Sequence, residues 1–160
     1  MARGCRYEAQ LAEAARLVAD GAGAPEHAVV YQSRSGSPRT PWLEPDVCDH
    51  LRALAERGVE DVVLSPLGFV SDNIEVLYDL DVEASRLASE LGLGLVRAPA
   101  VGTHPAFVAA IRELVEERLF QAPRRAIGRY GPAHDVCAPG CCLPGTGQPS
   151  PWERSETSVV

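Results

Sequence analysis

Short apolar runs alternate with amphipathic stretches from residue 28 to residue 120, and this alternation restricts the fold more than any other feature. The runs lie at 28–33, 59–69 and 92–99, each followed by apolar residues at helical spacing. Short strands interleaved with helices predict a parallel sheet covered by helices on both faces, a Rossmann-like α/β fold. Each crossover should be right-handed. In such sheets functional residues gather beyond the carboxyl ends of the strands. That singles out residues 32–42, 69–75 and 100–104.

The punctuation fits this reading. Leu11, Ala14, Ala15, Val18 and Ala22 repeat at helical spacing over 7–22, and Gly21 and Gly23 close the helix. Pro45 suits the first turn of a helix running to Arg57, with Gly58 ending it. Asp72 and Glu75 have the spacing of a capping box for a helix over 71–91. Thr103 stands where a cap is needed for a helix over 105–120, whose Phe107, Ile111, Leu114, Val115 and Leu119 should face a core. We expect one α/β domain over 1–122 and an irregular tail over 123–160, where Pro, Gly and Cys accumulate.

The chain of 160 residues has a net charge of −7, and all fifteen of its basic residues are Arg. They are scattered, apart from Arg124, Arg125 and Arg129, so nucleic-acid binding is disfavoured. No run approaches the roughly 20 apolar residues of a membrane span. The first residues carry no apolar signal core, so a cytoplasmic protein is expected.

Glu75, Asp79 and Glu83 stand at i, i+4 and i+8, one above another along a single helix face. Nothing basic lies three or four residues from Glu75 or Asp79 to relieve the repulsion. Such a row of hard oxygen donors can pass along a divalent cation or accept protons. A solvated polar face opposite the stripe Leu77, Leu80, Ala84, Leu87 and Leu91 has the same pattern, and spacing alone leaves both readings open. Cys137, Cys141 and Cys142 fall within six residues, a local cluster that suggests metal ligation more than a disulfide framework. Cys48, on an amphipathic helix, reads as a small packing residue.

Four segments together resemble the C-terminal half of ferrochelatase, the enzyme that inserts ferrous iron into a porphyrin. They are Tyr31-Gln32-Ser33-Arg34, Pro41-Trp42-Leu43-Glu44-Pro45, Pro66 through Glu75, and Val76 through Glu83. The resemblance covers about residues 7–120 and implies the chelatase fold. It implies that Glu75, the glutamate of the Ser-Asp-x-Ile-Glu motif, is catalytic and meets the metal, with Asp79 and Glu83 as an outer path for Fe²⁺ as substrate. It implies that Trp42 lies beside the porphyrin, with Arg34, Ser33 and Asn73 at its edge. The macrocycle would be coproporphyrin III or protoporphyrin IX, the actinobacterial type favouring the former. The tail resembles the extension that carries a [2Fe–2S] cluster in some members, with Cys137, Cys141 and Cys142 as three ligands.

Two departures accompany the resemblance. Asn73 stands where the family usually has His. The chain also matches only the half of the family that follows its mid-chain histidine, so His27, His50, His104 and His134 match no catalytic position. A separate N-terminal half is therefore an expected partner. Trp42 also reads as a loop anchor, and Arg34 as a cap on the sheet end. A non-catalytic tetrapyrrole- or cluster-binding module on the same fold stands as the competing reading.

Overall fold

The computed structural model describes residues 6–24, 26–34 and 42–136. Helix α1 (Tyr7–Ala22) ends at Gly23, which takes the left-handed conformation expected of a helix-closing glycine. Among the described residues, 28–33 make only the parallel bridge Tyr31–Asp46, through Tyr31 N–H to the Pro45 carbonyl and Val47 N–H to the Tyr31 carbonyl. The expected first strand is thus reduced to one bridge. Apolar patterning reads burial, and Val30 does pack on the core, but a strand also needs a neighbouring ladder.

Helix α2 (Val47–Glu56) begins after Asp46, whose carboxylate accepts from Cys48 N–H at 2.8 Å. Pro45 lies before this cap rather than in the first turn. Strand β1 (Asp61–Leu64) pairs in parallel with β2 (Gly94–Arg97) in the register Val62–Leu95, Val63–Val96. Between them runs one unbroken acidic helix made of α3 (Ile74–Val76), a π segment (Leu77–Ala84) and α4 (Ser85–Leu91).

Val47 and Leu51 of α2, Leu64 of β1, Val76, Leu80, Ala84 and Ala88 of the acidic helix, and Leu93 form one buried cluster. This packs α2 and the acidic helix on a single face of the sheet. On the other face Val63 and Val96, neighbours in register, are 74% and 65% exposed. Helix α5 (Pro105–Leu119) has no buried residue; Ile111, Leu114, Val115 and Leu119 are exposed, against the expectation that they face a core.

Residues 121–136 are irregular but tied down. Glu117 accepts from Arg125 N–H, Asp135 pairs with both Arg118 and Arg124, and Glu13 of α1 accepts from Arg129 N–H at 3.1 Å.

Candidate functional site

The acidic helix starts at Asn73, not at Asp72. The Asn73 amide oxygen accepts from Val76 N–H at 3.0 Å, while Asp72 turns to Arg97 and to Ala100 N–H. The proposed capping box is therefore replaced by a simple Asx cap, and Glu75 remains exposed in the first turn. From Leu77 the backbone winds in i→i+5 register for eight residues. Such π turns are rare and cluster at functional sites. Ser85 donates its hydroxyl to the Leu80 carbonyl at 3.0 Å, giving the widened turn a side-chain partner.

Ser33 sits opposite this segment, its backbone in the left-handed region at φ 57°, which non-glycine residues rarely adopt. Its hydroxyl donates to Asp79 at 2.5 Å across 46 residues of sequence. Gln32, Ser33, Arg34, Asp46, Val47, Cys48, Asp79 and Glu83 line a crevice of about 270 Å³. That is at the lower limit of small-molecule pockets, roughly 300–1,000 Å³, and leaves room for a small group rather than a macrocycle.

Of the residues singled out in the sequence, the crevice brings together Ser33, Arg34, Asp79 and Glu83. Glu75 lies outside it, toward the helix start, and so do Asn73 and Trp42; Trp42 is 39% exposed. Among the described residues no three His, Cys, Asp or Glu side chains converge to enclose a metal ion, so the acids form a row rather than a cage. Cys137, Cys141 and Cys142 lie outside the described residues.

Two crevice residues carry no site signal in the sequence: Asp46, which falls within the helix expected from Pro45 to Arg57, and Cys48, which reads as a packing residue. Burial first, then the Asp46 carboxylate, push the Cys48 thiol up; Arg52 pulls it the other way and Glu83 adds a smaller push upward. A third omission is Arg97, at the end of β2, which forks onto Asp81 at 2.6 and 2.7 Å and reaches Asp72 at 2.8 Å. This bonding holds the Asp81 carboxyl below the usual range and raises Arg97. No spacing rule announces a pair made across sixteen residues. His104 proves structural: its Nδ1 accepts from Ala106 N–H and caps α5, the role expected of Thr103.

Beyond the sheet, Val70 accepts from Gly102 N–H and Asp72 from Ala100 N–H, so the segments after β1 and β2 are stitched together, although neither lines the crevice with Ser33 and Arg34. Fold and site thus define an α/β domain with a carboxylate row leading into a small polar crevice. Residues 1–119 match the family model described as ferrochelatase, and the chain belongs to that family. It is 52% identical over 145 residues to a ferrochelatase of Rhodopirellula baltica, covering 89% of this chain and 41% of the relative. It is 48% identical over 149 residues to a coproporphyrin III ferrochelatase of Streptomyces griseus, covering 87% and 40%, and 50% over 143 residues to one of Nocardia farcinica, covering 86% and 41%. The chain thus spans about two-fifths of the length of these relatives.

Proposed function

We propose that this chain supplies the metal-handling wall of a ferrochelatase, which inserts Fe²⁺ into a porphyrin with release of two protons in heme biosynthesis. The observation that carries the reading is the convergence of Asp79 and Glu83 with Ser33 and Arg34 on one crevice, within the segments that match the family. Insertion needs a base for the pyrrole protons and a route for a hydrated cation. Carboxylates hold Fe²⁺ firmly enough to guide it, yet weakly enough to release it to four nitrogens. Glu83 and Asp79 form the route, and Glu75, exposed at the helix start, meets the metal and takes the protons.

The macrocycle lies outside the crevice, over Trp42, whose ring offers a flat apolar surface, with Arg34 toward a propionate. Ser33 and Asn73 border it; the Asn73 oxygen is committed to the helix cap, leaving its amide N–H groups free to donate. Two of the named relatives act on coproporphyrin III, which favours that substrate over protoporphyrin IX. The part of the family that this chain does not span supplies the opposite wall, on the same polypeptide or on a partner. No helix among the described residues is long and apolar enough to cross a membrane; a cytoplasmic placement belongs to the proposed reading.

The division into a chelatase-like unit over 1–122 and a tail over 123–160 belongs to the same reading. A [2Fe–2S] cluster requires four thiolates. Cys137, Cys141 and Cys142 provide three. The set is completed from outside the tail, and no step of insertion runs through it.

The test is anaerobic Fe²⁺ insertion into coproporphyrin III, followed by loss of porphyrin fluorescence, with this chain alone and combined with the preceding three-fifths of a relative. Glu75→Gln should lower kcat about 10²-fold or more, as loss of an acid–base group does. Turnover indifferent to Glu75 would refute its role. Porphyrin binding without turnover in every combination would favour a binding module.

A further inference from the structure

Arg97 is 16% exposed in its side chain, and every arm of its guanidinium is engaged. Nε and Nη2 donate to the two oxygens of Asp81, and Nη1 donates to Asp72 and, at 3.3 Å, to the Ala98 carbonyl. Asp81 stands midway between Asp79 and Glu83, two residues from each. Residues two apart point to roughly opposite sides of a helix, about 200° round in an α-turn, and the wider π turn keeps them opposed. One side of the π segment is therefore tied to the end of β2, while the other bears on Ser33 and the crevice.

The buried stripe Val76, Leu80, Ala84 and Ala88 fixes the helix axis, but its second half presents only methyl groups. A slip between i→i+5 and i→i+4 pairing would turn everything beyond it by about one residue's rotation, roughly 100°. The fork grips inside the segment where that slip would occur. We infer that Arg97 is a positioning residue: through Asp81 it sets the roll of the acidic helix, holding Asp79 on Ser33 and Glu83 in the crevice wall. Its bearing on iron rests on the function proposed above; the geometric claim does not.

The test is a double-mutant cycle of Ser33→Ala and Asp79→Asn, read by urea unfolding, in the native background and in Arg97→Gln and Arg97→Lys. With Arg97 present the coupling factor in the unfolding constant should be about tenfold or more, as for a hydrogen bond to a charged group. It should fall to about one with Gln and to an intermediate value with Lys, which keeps the charge and loses the fork. Unchanged coupling in a less stable Arg97 variant would make Arg97 a plain staple and overturn the inference. Coupling near one already in the native background would overturn it too, since there would be no held pair. If Arg97→Gln does not fold, Arg97→Lys and Asp81→Asn decide.

In the assembled enzyme, Arg97→Lys should raise the KM for Fe²⁺ and leave the porphyrin KM unchanged. An unmoved iron KM alongside lost coupling would remove the catalytic part of the claim. Absence of turnover in the native protein would count against the proposed function, while the cycle would still decide on Arg97.

Discussion

Glu13 is buried on α1 and accepts from Arg16 on the next turn and from Arg129 N–H in the segment after α5. Chiefly through the Arg16 hydrogen bonds, its carboxyl is lowered to about 2. A depressed carboxyl stabilises the fold above its unfolded value and loses that contribution as pH falls through its folded one. Stability should thus decline between about pH 4.5 and pH 2, and Glu13→Gln should flatten that part of the profile in urea titrations. Gly128 faces the same carboxylate, with φ at +81° and room for no Cβ: one would meet Glu13 Oε1 at 2.7 Å and Cγ at 3.1 Å. Glu13 is pinned and cannot yield, so Gly128→Ala should lose about 1–3 kcal/mol, measured by chemical denaturation.

At the scale of elements, the helix start is the clearest case. Asn73→Ala should lose about 0.5–2 kcal/mol of stability with its cap. Asn73→His should lose less, because His104 shows in this same chain that Nδ1 caps a helix; thermal melts of the two variants compare them. Much of this element was legible in the sequence. Three acids at a spacing of four fall on one face in α and π windings alike, so the row was visible and the π register was not. Residue 73 and residue 72 are both good caps on paper, and only the pull of Arg97 on Asp72 decides between them. The strand over 28–33 was misjudged for a different reason: its apolar pattern is real, but pairing depends on a neighbour and is not a property of the segment. Ser33 and Arg34, at the end of that segment, line the crevice with Asp79 and Glu83, and it is the Ser33–Asp79 hydrogen bond, not a strand end, that brings them there.

At the scale of the molecule, the sheet is parallel yet bare on one face among the described residues, whereas parallel sheets are ordinarily covered on both. Val63 and Val96, together with the exposed apolar residues of α5, leave apolar surface open to solvent. Alone, the chain should bind an apolar dye and self-associate, measured by fluorescence and sedimentation. Val63→Asp should change its stability by no more than about 0.5 kcal/mol, as at other exposed positions, while reducing self-association. The central cluster has a further consequence. All eight of its residues lie between positions 47 and 93, so the cluster is complete within one continuous stretch of chain, although the strand pairs beneath it lie 33 residues apart, as Asp61 and Gly94 do. The buried centre of a domain is the part that opens last. During synthesis this stretch can consolidate as soon as it leaves the ribosome, before α5 is complete, and its amides should be the slowest to exchange with solvent deuterium.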